Sequence, residues 1–145
     1  MKSFAVRPAA AADAVAVGAL AKRRPFTAKW SISALAEEAS RPDALFYVAV
    51  DGPIRGYALA RLVEKEIRLL DLAAAEDGLG IGLALWTVLT REASARGAGR
   101  MTLEVSADNV RAAAFYAKRG AKVVGRRPKF YYDGSDAVLM DIDLP

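Results

Sequence analysis

Short apolar runs bounded by turn residues alternate along this chain with longer segments whose apolar residues recur every three or four positions. The short runs predict seven strands: Phe4–Pro8, Leu45–Val50, Ile54–Val63, Ile67–Ala73, Met101–Val105, Lys122–Gly125 and Ala137–Ile142. The longer segments predict four helices: Ala10–Arg23, a second that Ser31 or Ser33 can cap and that ends near Arg41–Pro42, Leu83–Arg96 and Asn109–Arg119. The predicted order is therefore β-α-α-β-β-β-α-β-α-β-β.

This order of elements predicts an α/β (α+β) domain with a mixed sheet. Three successive strands joined by tight turns form an antiparallel meander, whereas the strand, helix and strand from Ile67 to Val105 form one parallel crossover in the centre of the sheet. A chain of 145 residues fits one domain, 1–145, that can bury one substantial core.

The apolar segments are too short for a helix that crosses a membrane. Although 54% of the residues are hydrophobic, no stretch approaches the roughly 18 consecutive apolar residues that such a helix needs. The Ala/Val-rich run Ala9–Ala21 is weakly similar to a signal peptide, but Asp13 interrupts it. Together with the lack of cysteine, these observations favour a cytoplasmic protein that does not enter a membrane.

The chain contains no histidine and no cysteine. This excludes disulfides, thiolate nucleophiles, zinc ribbons, Ser-His-Asp sites and the HExxH zinc motif, and we expect no metal site. A general base in this protein must therefore be a carboxylate, a Lys or Tyr with a shifted pKa, the terminal amine or a water molecule.

Positive charge is concentrated in the second half of the chain. The net charge is +4, but residues 96–129 carry nine Lys or Arg and two acidic residues, a net charge of +7 for that segment. Such a field favours a phosphorylated or acidic partner, and a solvated basic face is the alternative. No basic and aromatic recognition motif accompanies the charge, so no nucleic acid is expected.

Three glycines, Gly78, Gly80 and Gly82, lie between a predicted strand and a predicted helix. Their backbone amides at a helix N-terminus favour a phosphate or pyrophosphate, and a flexible turn is the alternative. A P-loop is excluded because Leu83 and Ala84 follow the loop instead of Lys and Ser or Thr. A Rossmann-like nucleotide-binding domain remains possible, although Leu stands where its third glycine is required.

Glu104 is a charged residue between Leu103 and Val105 on a predicted central strand. Burial of its carboxylate would cost energy unless a partner or a function compensates, so Glu104 is either functional or a solvent-facing residue. Tyr116 follows twelve residues later on a predicted helix, where it is either functional or a core aromatic.

Together these segments resemble the GCN5-related N-acetyltransferase (GNAT) superfamily, most closely its bacterial ribosomal-protein alanine N-acetyltransferases. The resemblance rests on Gly78-Leu79-Gly80-Ile81-Gly82-x-x-Leu85, Leu103-Glu104-Val105, Asn109-x-x-Ala112-x-x-x-Tyr116, Gly120, and the tail from Tyr131-Tyr132 to Asp136-Ala137-x-x-Met140. It covers residues 68–142 well and the first 65 residues only in the order of elements. It implies a mostly antiparallel central sheet with one splayed parallel pair and helices on both faces.

The resemblance also implies acetyl-CoA as the cofactor and assigns its contacts. The pyrophosphate would lie on the amides of Leu79, Gly80, Ile81, Gly82 and Leu83, and the pantetheine arm would follow the backbone of Leu72, Ala73 and Ala74. Further cofactor contacts are implied for Asn109, Ala112, Tyr116, Lys118 and Arg119. Glu104 matches the general base of the family, and Tyr116 matches its general acid.

One residue of the glycine loop departs from the family pattern. Asp77 stands near a position where the family usually has Gln or Arg, and a carboxylate beside a pyrophosphate is unfavourable. We therefore expect weakened acetyl-CoA binding, and a non-catalytic module that senses acyl-CoA is an alternative to the enzyme.

The expected acceptor is a primary amine, with a protein N-terminus as the first hypothesis. Small amines, aminoglycosides and lysine side chains remain open. The groove for the acceptor is predicted between Pro25–Thr27 and Phe130–Tyr132, and the protein is expected to be a monomer or a homodimer.

Overall fold

The computed structural model describes residues 3–145. Within them a single sheet has the strand order β1-β2-β3-β4-β5-β7-β6. The helices and strands in chain order are β1 (Ala5–Pro8), α1 (Ala14–Arg23), α2 (Ile32–Ser40), β2 (Ala44–Val50), β3 (Ile54–Val63), β4 (Glu66–Ala74), α3 (Ile81–Ala95), β5 (Arg100–Ser106), α4 (Val110–Lys118), β6 (Lys122–Arg127) and β7 (Ala137–Asp143).

The predicted order of elements is confirmed, and three boundaries differ from the prediction by two residues or more. A short 3₁₀ turn, Ala11–Asp13, precedes α1, because the Asp13 carboxylate accepts the Ala10 amide at 2.7 Å and tightens the entry to the helix. Helix α3 begins at Ile81 instead of Leu83, directly after Gly80 at φ 82°. Strand β6 continues to Arg127 instead of ending at Gly125, because it pairs with β7 over that length.

One strand pair in the sheet is parallel, as the crossover predicts. β4 and β5 pair over Glu66–Leu69 and Arg100–Leu103 and then separate. The other neighbouring strands are antiparallel, and β7 returns between β5 and β6. The splayed parallel pair therefore lies in the interior of the sheet, where a gap opens toward the C-terminal ends of β4 and β5.

Helices cover both faces of the sheet, as the predicted architecture requires. On one face, α1 and α2 pack through Val17, Leu20 and Leu35. On the other, α3 packs through Leu85 and Leu89. In the described part of the chain, no helix is long and apolar enough to cross a membrane.

Gly56 on β3 allows α3 to approach the sheet closely. A Cβ atom at Gly56 would lie 2.5 Å from Cγ2 of Ile81, 3.0 Å from the Ala73 carbonyl oxygen and 3.1 Å from Cδ1 of Leu85. Because Ile81 is the first residue of α3, this contact also fixes the end of the glycine loop against the sheet.

We predict that Gly56→Ala destabilises the protein by about 1–3 kcal/mol, the usual cost of overpacking a core. Urea unfolding measures the change, and Gly99→Ala is the control because no atom lies within 4 Å of the Cβ position at Gly99. Equal unfolding midpoints for the two variants would contradict the prediction.

Candidate active site

The gap between β4 and β5 leaves one edge of β4 without a strand partner. Leu69 is the last residue of β4 that pairs with β5, so residues 70–74 turn their backbone amides and carbonyls on that side toward the gap. Such an edge can pair with an extended ligand as another strand would. Two cavities lie along this gap.

The larger cavity has a volume of about 750 Å³. Its walls come from five segments of the chain: 25–29 between α1 and α2, 69–72 on β4, 103–106 on β5, Asn109, Ala112 and Tyr116 at α4, and 130–133 with Ser135 before β7. A groove therefore exists between Pro25–Thr27 and Phe130–Tyr132, where the sequence predicts the acceptor.

The smaller cavity has a volume of about 320 Å³ and lies toward the glycine loop. Five of the predicted cofactor residues or segments line it: Leu72–Ala74, Gly82, Asn109, Ala112 and Tyr116. Of these, Leu72, Asn109, Ala112 and Tyr116 also line the larger cavity. The two cavities are therefore neighbours that share a wall.

Tyr116 is positioned in this shared wall by aromatic packing. Its ring centroid lies 5.8 Å from that of Trp86 and 5.5 Å from that of Phe115, and only 7% of the residue is exposed. Among the described residues, the Tyr116 hydroxyl makes no hydrogen bond to the protein, so it is available to a ligand. Burial, with a smaller contribution from the charge of Asp71, raises the pKa of Tyr116 above its usual value.

Glu104 lines the larger cavity but not the smaller one. Its neighbours Leu103 and Val105 point into the core, so its own side chain faces the opposite way and is 38% exposed. The apolar flanks therefore do not make Glu104 a buried residue. Its carboxylate lies 3.7 Å from Nη1 of Arg127. Burial, with a smaller contribution from the charge of Glu104, raises the pKa of Tyr131.

Asn109 closes the N-terminus of α4. Its side-chain oxygen accepts the Ala112 amide at 3.2 Å, which leaves its side-chain NH₂ available at the junction of the two cavities. Lys118 and Arg119 lie at the other end of α4 and line neither cavity, and Arg119 stacks over the ring of Phe115 at 5.1 Å.

The glycine loop presents backbone amides next to the smaller cavity. The Ala84 amide donates to the Gly80 carbonyl at 3.0 Å, so the amides of Ile81, Gly82 and Leu83 precede the first bond within α3 and have no acceptor in that helix. Gly82 lines the smaller cavity, whereas Leu79, Gly80, Ile81 and Leu83 line neither cavity. A ligand there would be held by backbone donors and the helix dipole.

Asp77 is paired with two arginines, which the sequence did not reveal. Its Oδ1 accepts from Nη2 of Arg24 at 2.8 Å and lies 3.5 Å from Nε of Arg111. All three residues line the smaller cavity, and their net charge is positive. The positive charges of Arg24 and Arg111 therefore partly balance the expected repulsion between Asp77 and a pyrophosphate.

Asp71 is a second carboxylate in the larger cavity, and sequence reasoning missed it. A β-bulge at Leu70 shifts the pairing, so that Leu69 opposes Ala60 while Asp71 opposes Leu59. The bulge changes which residues of β4 face each side of the sheet. It turns Asp71, together with Ala73, to the face covered by α1 and α2. An Asp between apolar residues is the same signal that singled out Glu104.

Asp71 is 8% exposed, and three donors reach one oxygen of its carboxylate. Oδ2 accepts from the Tyr57 hydroxyl at 2.6 Å, the Trp30 indole at 3.3 Å and the Ala28 amide at 3.3 Å. Burial raises the pKa of Asp71, and these hydrogen bonds oppose the shift. Burial, with smaller contributions from the charge of Asp71 and the hydrogen bond to it, raises the pKa of Tyr57.

Comparison with known proteins identifies the family. The model of the acetyltransferase (GNAT) family matches residues 19–121. The chain is 37% identical over 99 residues to an uncharacterised N-acetyltransferase of Methanocaldococcus jannaschii, and the match spans 66% of this chain and 64% of that relative. It is 28% identical over 128 residues to the ribosomal protein bS18-alanine N-acetyltransferase of Escherichia coli K12, spanning 85% and 86%.

The fold comparison agrees with the family match. The crystal structure of the ribosomal-protein-S18-alanine N-acetyltransferase from Escherichia coli has a TM-score of 0.88 and 25% identity, and the match covers 98% of this chain and 94% of that one. The chain belongs to the GNAT acetyltransferase family. The predicted family, fold class and acetyl-CoA-dependent N-acetyltransferase class are confirmed, whereas the roles of individual residues and the identity of the amine stay predictions.

Proposed function

We propose that this protein acetylates the primary amine of a protein N-terminus, with acetyl-CoA in the smaller cavity and the acceptor in the larger one. The observation that carries the proposal is the position of Tyr116, which lines both cavities, while Glu104 lines only the larger one. An acid at the junction and a base on the acceptor side are the arrangement that acetyl transfer to an amine requires. The name of the Escherichia coli relative supports a protein N-terminus as the acceptor.

The smaller cavity fits acetyl-CoA by the chemistry of its donors. The unpaired edge of β4 at Leu72–Ala74 suits an extended amide-containing arm, and the amides of Ile81–Leu83 with Arg24 and Arg111 suit its phosphates. Bound there, acetyl-CoA supplies an acetyl thioester. The side-chain NH₂ of Asn109 is a further donor at the junction.

Glu104 acts as the general base. An amine is largely protonated near neutral pH and must lose a proton before its nitrogen can attack a carbonyl carbon. The Glu104 carboxylate faces the acceptor cavity and can take this proton directly or through one water molecule. Because the Glu104 side chain is partly exposed, the proton that it accepts can pass to solvent.

Tyr116 acts as the general acid. Its hydroxyl keeps its proton at neutral pH because burial raises its pKa, and no protein group among residues 3–145 accepts that proton. The hydroxyl is therefore protonated when the amide forms, and its place at the junction of the cavities allows it to give this proton to the departing thiolate. Contacts with Trp86 and Phe115 fix the ring of Tyr116, so its hydroxyl group has a defined position in the cavity wall.

The activity is tested by a screen of acetyl transfer from acetyl-CoA to N-terminal peptides, lysine peptides and small amines. Release of CoA with N-terminal peptides is the expected result. Acetyl-CoA binding without CoA release with any acceptor would instead support the non-catalytic sensing module. Transfer to small amines alone would overturn the protein N-terminus as acceptor.

We predict that Glu104→Gln lowers kcat by about 10²–10⁴-fold, the range expected for the loss of a general base, and leaves the Kd for acetyl-CoA within about twofold. Steady-state kinetics and calorimetry give the two quantities. Glu66→Gln is the matched control because Glu66 is also an exposed glutamate on this sheet but lines neither cavity. Unchanged turnover in Glu104→Gln would remove the proposed base.

Tyr116→Phe is expected to lower kcat by about 10²-fold or more with little loss of stability. The reason is that the hydroxyl has no protein partner to lose, while the ring contacts with Trp86 and Phe115 remain. Turnover and thermal unfolding are measured together. Tyr47→Phe, at a buried tyrosine outside both cavities, should retain activity, and equal activity in the two variants would contradict the role of Tyr116.

Asp77→Ala is expected to lower the Kd for acetyl-CoA by about three- to tenfold, because it frees Arg24 and Arg111 for the phosphates and removes a like charge. Glu76→Ala is the control, since it removes the same charge from the same loop but its partner is Arg55. A Kd that rises in Asp77→Ala, or falls equally in both variants, would contradict the assignment.

A further inference from the structure

The larger cavity carries a charge opposite to that of the whole chain. Its lining includes three carboxylates, Asp71, Glu104 and Asp133, and one basic residue, Lys29. The formal net charge of these side chains is −2, whereas the chain as a whole is +4. The cavity therefore suits a cation.

The donors around the Asp71 carboxylate are all uncharged. Tyr57, Trp30 and Ala28 donate to Oδ2, and the backbone of Leu72 is a further donor to the carboxylate. The residue also lines the cavity, although it is almost fully buried. A buried carboxylate on a cavity wall can accept a hydrogen bond from a ligand, and the strongest such bond comes from a charged donor.

Anchoring of the loop 25–29 explains the hydrogen bonds of Asp71 but does not explain its charge. Ala28 and Trp30 need only an acceptor oxygen, which the amide of an asparagine also supplies. A buried carboxylate is costly unless a counter-charge compensates, and no basic side chain in the described residues pairs with Asp71. The missing counter-charge points to a cationic ligand.

We propose that Asp71 binds the acceptor amine as its ammonium ion and makes the enzyme selective for N-termini without an acidic residue at the second or third position. This inference rests on the proposed function and adds a specificity residue to it. In the proposed step the proton that leaves the ammonium goes to Glu104 and not to Asp71. Asp71 is thus a binding residue distinct from the base.

The selectivity follows from the placement of the carboxylates. The wall of the larger cavity brings Asp71 on β4, Glu104 on β5 and Asp133 before β7 around one space. A peptide whose second or third residue is acidic brings another negative charge into that space, where repulsion is less screened than in water. Uncharged residues at these positions carry no such penalty.

The test uses two N-terminal peptides that differ only at the second residue, Ala or Glu, as acceptors for the wild-type protein and for Asp71→Asn. We expect the wild type to have a kcat/KM about tenfold or more higher for the Ala peptide. Asp71→Asn should raise the KM for the Ala peptide by about tenfold, leave the KM for acetyl-CoA unchanged and reduce the difference between the two peptides. Asp143→Asn, at the end of β7 and outside both cavities, is the control.

Tryptophan fluorescence separates binding from a structural role, because Trp30, one of the two tryptophans of the chain, contacts Asp71 in the folded protein. An unchanged spectrum with a raised peptide KM supports the proposal. The proposal is overturned, and Asp71 is assigned to loop anchoring, if Asp71→Asn leaves the preference between the peptides unchanged. In that case we expect the variant to show a shifted spectrum or a raised KM for acetyl-CoA. Tyr57→Phe removes one donor and keeps the carboxylate, so it should keep the preference for the Ala peptide.

The comparison of the two peptides with the wild-type protein needs no variant, so it tests the proposed selectivity even if Asp71→Asn does not fold. Equal kcat/KM for the two peptides overturns the proposed selectivity and leaves the proposed function intact. Absence of CoA release with either peptide overturns the proposed function itself.

Discussion

The separation of β4 from β5 after four parallel pairs is the constraint on which the site depends. Paired strands satisfy each other's backbone groups, so an unpaired stretch inside a sheet has to face a ligand, water or another element. Here the stretch at residues 70–74 faces a gap into which two cavities open. Helix α4 begins beside the same gap, after its N-cap Asn109, and brings Tyr116 to it two turns later. The proposed cofactor edge, base and acid thus meet at one departure from regular strand pairing.

The two cavities differ in charge although they share a wall. The smaller one has Arg24, Arg111 and free helix amides, which suit an anionic cofactor, and the larger one has Asp71 and Glu104, which suit an ammonium ion. Tyr116, packed against Trp86 and Phe115, lies in the wall that the two cavities share. The positive charge of the smaller cavity favours an anionic cofactor, and the negative charge of the larger one favours a cationic amine. The two charges would therefore place the proposed donor and acceptor next to each other, as a transfer between them requires.

The basic segment of the sequence contributes less to the site than its charge indicates. Of the nine basic residues between 96 and 129, Arg111 lines one of these cavities and the other eight line neither. Arg127 lies beside Glu104, and Arg126 pairs with Asp136, so part of the positive charge is used within the protein. Net charge along a chain describes its average field and does not indicate which side chains surround a cavity.

The sequence by itself determined the elements, the glycine loop and the candidate pair Glu104 and Tyr116, because apolar period and motif spacing are local properties that the chain carries unfolded. It did not reveal Asp71, since the bulge at Leu70 that turns this carboxylate toward the cavity depends on pairing with β3. Nor did it reveal that Arg24 compensates Asp77, 53 residues away. These contacts join segments that only packing brings together, so the tertiary structure decided which charges meet in the site.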